Sequence, residues 1–213
     1  GPTFVDDAII WGYTGGGKAP PGIYEVRMQV GDESMTHTVE VKEDPRIAEN
    51  ISDEEYAAQL ELGLQLRDAI TEVHDYIGQI QSVKKQIKWL TEQSDNEEIN
   101  ELGPRLLKEL TSYEEQLMQT KNQSGQDPIR FAPRLDNQLV ENYGYVTGAD
   151  GYISGGREGK PSEAAYQRWG DLETTWTELR AEVKQQLEES AETFNELVRK
   201  YELLGVRLKT AKS

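Results

Sequence analysis

The feature that most constrains the fold is a run of apolar residues, near the end of the chain, spaced alternately four and three positions apart. Its members are Ala165, Trp169, Leu172, Trp176, Leu179, Val183, Leu187, Phe194, Leu197, Tyr201 and Leu204, with Ser190 as one polar step. A spacing that averages about 3.5 residues places these side chains on one stripe of an α-helix. The sequence therefore predicts a helix over about 162–204 that buries one face along its whole length.

A second stripe of the same kind lies in the first half of the chain. Its members are Leu66, Ile70, Val73, Ile77, Ile80, Ile87 and Leu90. The spacing is interrupted only between Ile80 and Ile87, where the expected position falls on Val83 or Lys84. The residues Ser-Asp-Glu-Glu at 52–55 form a capping box, in which Ser52 accepts from an early amide and Glu55 reaches back. Together these signals predict a helix over about 52–91.

Two shorter helices are predicted between the long ones, over about 104–122 and 133–143. Pro104 suits the first position of a helix, where a backbone N–H is not needed. Gly205 is well placed to end the last helix in a left-handed conformation. Amphipathic helices joined by short connections are typical of antiparallel bundles. The sequence thus predicts a long antiparallel three- to four-helix bundle with coiled-coil-like packing over 47–213.

A small β element is predicted ahead of the bundle, within residues 3–46. Residues 24–30 and 35–41 alternate apolar and polar side chains around the turn "GDES", which predicts an antiparallel hairpin. We expect "FVDDAIIW", residues 4–11, to lie beside it as a further strand. A lone hairpin is marginal in water. Its apolar face is therefore expected to pack on this strand and on the bundle, with an unpaired edge; that face comprises Tyr24, Val26, Met28 and Val30.

The overall charge argues against two classes of partner. The chain has 23 Lys plus Arg against 39 Asp plus Glu, a net charge of −16, which repels nucleic acid and anionic membrane surfaces. Cysteine is absent, so disulfides and thiol catalysis are excluded. No apolar run is long enough to predict a transmembrane helix. The start Gly1-Pro2 resembles a protease-cleavage scar, and we interpret the sequence as an excised piece of a longer protein.

Nothing in the sequence predicts a catalytic residue, a metal site or a cofactor. The two histidines are His37, in a predicted strand, and His74, which precedes Asp75 on the first helix. No nucleophile at a recognisable elbow accompanies them, and no phosphate-binding loop or zinc motif occurs. The loop 147–161 fails as a calcium loop, because only Asp150 stands at a required position.

Two groups of residues are candidate contacts for a ligand or partner. Three tyrosines and an acid around the glycine-rich loop would present aromatic rings to a sugar or a peptide; they are Tyr143, Tyr145, Asp150 and Tyr152. The alternative is that the tyrosines pack the loop against the end of the bundle. Lys84, Lys85 and Lys88 form a basic patch that would dock an acidic partner, although three lysines on one helix are ordinary.

A longer stretch carries a family resemblance. "GGGKAPPGIYEVRMQVGDESMTHTVEVKEDPRI" resembles the segment that follows the β-propeller in large bacterial BNR-repeat proteins of the sortilin type, which are often labelled glycosyl hydrolase-like. The likeness continues in "QLELGLQLRDAITEVHDYIGQI" and "AETFNELVRKYELLGV". It implies an immunoglobulin- or fibronectin-like β element, a helical C-terminal region and an exported multidomain parent. It implies no catalytic residue here, because hydrolase chemistry would lie in the propeller.

The leading functional hypothesis is a non-catalytic C-terminal accessory module that serves structural support, self-association or protein–protein interaction. Its partners would be other domains of the parent chain, another protein or a second copy. The alternative is a carbohydrate-binding accessory module, based on the tyrosines and on the family label. No cofactor, nucleic acid or membrane insertion is expected. By resemblance alone, the parent is expected in the periplasm, at the cell surface or secreted.

Overall fold

The computed structural model describes residues 1–6, 8–148 and 158–201. Two strands, β1 (Gly22–Val30) and β2 (Glu33–Val41), are followed by four α-helices. The helices are α1 (Asp53–Glu92), α2 (Glu97–Leu117), α3 (Leu135–Thr147) and α4 (Glu163–Lys200). All four helices pack together. The predicted fold class, a short antiparallel sheet followed by a helical bundle, is confirmed.

Helix α1 is the central element, because it contacts each of the other three helices. It is 40 residues long, and its apolar stripe is buried from Leu62 to Leu90. Val83 continues the stripe where the spacing breaks, and Lys84 lies at its border. The predicted capping box is confirmed: Ser52 accepts from the Glu55 N–H, and the Glu55 carboxylate accepts from the Ser52 N–H.

Helix α4 runs along the bundle and buries most of its predicted stripe. The buried members are Ala165, Leu172, Trp176, Leu179, Val183, Leu187, Ser190 and Phe194. Trp169, Leu197 and Tyr201 are only partly buried, while Leu204 and Gly205 lie outside the described residues. Trp176 is buried, and its indole N–H is satisfied because it donates to Glu72 Oε2 at 2.8 Å.

The two shorter helices lie one after the other along α1. Helix α3 packs beside the first half of α1, where Gln59 Nε2 donates to the Val146 carbonyl at 2.8 Å. Helix α2 packs beside the second half, where the Lys84 ammonium pairs with the buried Glu114 carboxylate at 2.5 Å. Helices α2 and α3 touch each other much less than either touches α1. Most cross-sections of the bundle therefore contain three helices.

The predicted start of α2 at Pro104 is wrong. The helix begins at Glu97, and the Asn96 side chain caps it by accepting from the Ile99 N–H at 3.2 Å. Acidic residues in the first turn suit the positive end of a helix, and they outweigh the local signal of the proline. Pro104 lies inside the helix, so the Asn100 carbonyl loses its usual donor there.

The other bounds differ by a few residues. Helix α2 ends at Leu117, five residues before the predicted end at 122. Helix α3 begins and ends later than the predicted range 133–143. It stops at Gly148, which adopts a left-handed conformation with φ 60°. Glycine is the residue that takes this conformation without strain.

The N-terminal segment, residues 1–6 and 8–21, forms no strand in its described part, so the predicted third strand over residues 4–11 is wrong. The segment runs along α1 and α3. Asn137 holds it by accepting from the Trp11 N–H and donating to the Trp11 carbonyl, at 2.9 and 2.8 Å. Its apolar side chains pack against the helical core; they are Phe4, Val5, Ile10 and Tyr13.

We predict that Gly103→Ala destabilises the bundle by about 1–3 kcal/mol, because overpacking costs that much in a close-packed site. Gly103 is buried where α2 meets α1, and an added Cβ would overlap the Thr91 side chain. Gly170→Ala is the matched control, since Gly170 also lies in a helix and a Cβ there meets nothing within 4 Å. Urea unfolding followed by circular dichroism measures both. Equal stabilities of the two variants would contradict the packing described here.

We predict that Asn137→Ala lowers the free energy of unfolding by about 1–2 kcal/mol, since it removes two hydrogen bonds from the Trp11 backbone. Amide exchange in residues 8–13 should also accelerate. Asn100→Ala removes one exposed side-chain hydrogen bond to the Ser94 carbonyl and serves as the control. Unchanged exchange in Asn137→Ala would show that the segment is held by something else.

Candidate functional site

The hairpin has one apolar and one polar face, set by its register. Gly31 and Asp32 form the two-residue turn, and Gly31 has φ 59°. Val30 therefore pairs with Glu33, and Met28 pairs with Met35. Residues directly opposite each other in a sheet share a face. The apolar face carries Tyr24, Val26, Met28, Val30, Met35, His37, Val39 and Val41 together with Glu33.

This apolar face is exposed, so the prediction that the bundle and a further strand cover it is wrong. Val30 is 68% exposed and Met35 is 66% exposed, and Val26, Met28 and Val39 are exposed as well. Neither strand packs against any of the four described helices. The N-terminal segment, and not the hairpin, packs in the groove between α1 and α3. A contiguous exposed apolar face of this kind is a candidate surface for interaction.

A pocket of about 920 Å³ lies at the root of the hairpin. Its walls are residues 16–21, 41–42 and 44–46, which lead into and out of the hairpin, and the first turns of α1. On its α1 side stand Leu60 and Leu64, which are 40% and 37% exposed although they are large and apolar. Tyr143 and Thr147 from the end of α3 complete it. Its size matches that of pockets that bind small molecules or protein loops.

The pocket is more positive than the chain as a whole. Four basic residues line it, namely Lys18, Lys42, Arg46 and Arg67, against two acids, Asp44 and Glu158. Both acids are already paired, Glu158 with Lys18 and Asp44 with Arg46. Hydrogen bonds from the Arg46 side chain and backbone hold the pKa of Asp44 at about 2, so this carboxylate stays charged. The other two basic residues are paired as well, Lys42 with Glu40 at 3.5 Å and Arg67 with Asp68 at 2.5 Å.

The structure pairs His74 with Asp136, not with its sequence neighbour Asp75. His74 Nδ1 accepts from the Val5 N–H at 3.4 Å, so the ring proton of the neutral form lies on Nε2, 3.9 Å from Asp136 Oδ2. That separation is close enough for an ion pair, but both side chains are buried. Burial lowers the pKa of His74 to about 4 and raises the pKa of Asp136 to about 7, although the Asn137 N–H opposes the latter.

The His74–Asp136 pair is a packing feature beneath the N-terminal segment. The Phe4 ring meets the His74 ring edge to face, with centroids 4.8 Å apart. His74 Nε2 has no hydrogen-bond partner, and its ring is only 2% exposed. A substrate would have to displace Phe4 to reach this imidazole. The arrangement therefore anchors residues 3–5 on α1 and offers no open site for proton transfer.

Neither Tyr143 nor Tyr145 lies on an open surface. Tyr143 is 2% exposed, stacks on Tyr13 at 6.3 Å, and donates to the Gly15 carbonyl. Its ring is thus not free to stack on a sugar, although the residue borders the pocket. Tyr145 is partly buried against the core. Asp150 and Tyr152 lie outside the described residues, and their role stays a prediction.

The predicted lysine patch is divided by the fold. Lys84 belongs to the contact between α1 and α2, where it pairs with Glu114. Lys85 and Lys88 are exposed, and Lys88 pairs with Glu92 one turn later at 3.8 Å. Two surface lysines beside the exposed Trp89 remain, which is a weaker patch than the sequence suggested.

Sequence inspection missed the residues that give the pocket its character: Leu60, Leu64 and Arg67 on α1. A signal for them existed. Leu60 and Leu64 are apolar and four positions apart, yet they do not belong to the buried stripe. Apolar side chains off the buried stripe of a helix indicate a second contact surface. Arg67 follows them after one further turn.

Over residues 1–6, 8–148 and 158–201, no group of three or more His, Cys, Asp or Glu side chains is placed to hold a metal ion. In the same residues, no helix has the length and apolarity needed to cross a membrane.

The chain was also compared with known proteins. No family model, no curated protein and no solved structure matches it.

We predict opposite pH dependences for two single variants of the buried pair. In Asp136→Asn, His74 is the one member of the pair that still makes the free energy of unfolding depend on pH. His74 has a pKa of 6.5 when unfolded and about 4 when folded, so its contribution is complete above pH 6.5 and is lost as pH falls toward 4. In His74→Gln only Asp136 remains, with a pKa of 3.8 unfolded and about 7 folded. That contribution is complete below pH 3.8 and is lost as pH rises through 7.

In the wild type the two contributions oppose each other between about pH 4 and 6.5, because the pair holds one proton in both states. Urea midpoints of each variant, taken relative to the wild type across this range, measure the effect. The difference in the free energy of unfolding between each variant and the wild type cancels the titration of all other groups. If the urea midpoints of both variants changed with pH in the same direction, His74 and Asp136 would not both be neutral in the folded protein.

Proposed function

We propose that the chain is a non-catalytic accessory module that acts through protein–protein contact, and that its hairpin is the contacting element. The observation that carries this proposal is the exposed apolar face around Met28 and Met35. An isolated two-stranded hairpin is at best marginally stable in water. A covering partner would remove this face from solvent and stabilise the hairpin at the same time.

The composition of the core supports the proposal. Every buried apolar residue of the described core cluster lies in a helix, and neither strand contributes to it. The apolar residues of the hairpin therefore lie outside the buried core of the bundle that anchors them. Contact with another protein gives these residues a physical role that the fold itself does not.

The partner that we propose is another β-domain of an exported multidomain parent, of the BNR-repeat, sortilin type that the sequence resembles. The bundle would provide structural support, since a helix of 40 residues spans about 60 Å. The module would carry no catalytic group of its own.

We predict that Met35→Lys weakens docking in the parent protein, because it places a charge on the apolar face. Thr36→Lys is the matched control: it adds the same charge one residue later, on the opposite face of the same strand. In this chain alone, both variants should change stability by less than about 0.5 kcal/mol, as exposed substitutions do. In the parent, Met35→Lys should speed proteolysis within residues 22–41, measured by mass spectrometry.

The control decides the interpretation. If Met35→Lys and Thr36→Lys behave alike in the parent, the apolar face contacts nothing there, and the proposed mode of action is wrong.

A further inference from the structure

The pocket at the root of the hairpin has an apolar lining that the fold leaves open to solvent. Leu60 and Leu64 stand one turn apart on the same side of α1, and both line the pocket with more than a third of their surface exposed. Residues 19–21, which are Ala-Pro-Pro, and Val41 add apolar surface from the two sides of the hairpin root. A bound molecule that removes this surface from water is favoured by the hydrophobic effect.

The charged side chains of the pocket are already neutralised. Each of the four cations that line it is in an ion pair, two with acids of the lining and two with acids beside it. An ionic ligand therefore meets no unpaired charge among the described side chains of the lining. It would lose part of its hydration without gaining a counterion, which costs free energy. The electrostatics of the pocket thus favour a neutral ligand.

Most uncharged polar side chains of the pocket are also engaged within the protein. The hydroxyls of Tyr56 and Tyr143 donate to Glu158 at 3.4 Å and to the Gly15 carbonyl at 3.0 Å. Gln59 uses both ends of its amide on backbone groups, at 2.8 and 3.2 Å. A ligand with many hydroxyl groups, such as a sugar, needs several donors and acceptors that are not already in use. The bonding of these side chains favours a ligand with few polar groups.

One polar group of the lining remains unpaired. Thr147, the last residue of α3, lines the pocket and is 6% exposed, and its hydroxyl has no hydrogen-bond partner in the described part of the chain. Buried polar side chains nearly always have a partner, and one that lacks it is a sign of an additional binding group. A hydroxyl or carbonyl group on a ligand would supply the missing hydrogen bond.

We infer that the pocket binds a neutral, mainly apolar small molecule that carries one hydroxyl or carbonyl group. The apolar part of the ligand contacts Leu60 and Leu64, and its polar group bonds to the Thr147 hydroxyl. A volume of about 920 Å³ lies within the range of small-molecule sites, which combine apolar walls with a few placed polar groups. The inference adds a ligand site at α1 and α3 and goes beyond the proposed protein contact of the hairpin face.

Titration of this chain with 1-octanol, octanoate and octylammonium tests the class of ligand. The three probes share one apolar chain and differ in charge at about pH 7, where the acid and the amine are ionised. Amide chemical shifts report both the affinity and the place of binding. We expect 1-octanol to shift the amides of residues 60–64 and 147, with a Kd at least ~10-fold lower than that of either ion. Equal or tighter binding of an ion, or no shift at these residues, would overturn the inference.

A pair of variants separates the pocket from the exposed face of the hairpin. Leu64→Ser removes an apolar side chain from the pocket, and Met35→Ser removes one from the hairpin face. Leu64→Ser should raise the Kd of 1-octanol at least ~10-fold, while Met35→Ser leaves it unchanged. Leu60→Ser is the second pocket variant if Leu64→Ser does not fold, as judged by circular dichroism. Equal effects of the pocket and hairpin variants, or a larger effect of Met35→Ser, would overturn the inference.

Thr147→Val tests the polar contact, because it keeps the shape of the side chain and removes the hydroxyl. That hydroxyl bonds to nothing in the described part of the free chain. The variant should therefore be as stable as the wild type, and its Kd for 1-octanol should rise about threefold or more, as for the loss of one hydrogen bond. An unchanged Kd would overturn the assignment of the ligand's polar group. None of these measurements involves a protein partner, so their failure would leave the proposed function untouched.

Discussion

The structure depends on the continuous apolar stripe of α1. A helix of 40 residues with so many fully buried side chains is stable only when every part of the stripe is covered. Helix α3 covers the first half, α2 covers the second half, and α4 packs along the assembly. The N-terminal segment fills a further groove through Phe4, Val5 and the hydrogen bonds of Asn137. These elements together cover the buried stripe of α1, and neither strand of the hairpin packs against any of the described helices.

The position of the hairpin follows from that packing. Its root is fixed, because the chain enters it from the docked N-terminal segment and leaves it toward the capped start of α1. Its apolar face is uncovered, because the groove beside α1 and α3 is already occupied. A fixed root and an uncovered face suit the docking role that we propose for the hairpin. The pocket forms at the same root and extends the surface onto α1.

Local signals predicted the elements well, and long-range packing decided the rest. The stripes of α1 and α4 and the capping box are patterns within a few turns, so the sequence predicted them correctly. The start of α2 was missed because two start signals compete, and the Asn96 cap prevails over Pro104. Alternation in the hairpin predicted which residues share a face but not what covers them. The His74–Asp136 pair and the pocket join residues far apart in sequence, which no local pattern reveals.

The most direct test of this account is to remove the hairpin. Gly22 pairs with Val41, so a two-glycine linker between Pro21 and Lys42 can replace residues 22–41 without moving either end. The account predicts that the free energy of unfolding, measured by urea denaturation, stays within about 0.5 kcal/mol of the intact chain, as for other changes outside the core. A loss of several kcal/mol would show that the hairpin stabilises the bundle, and it would contradict the claim that its apolar face serves a partner.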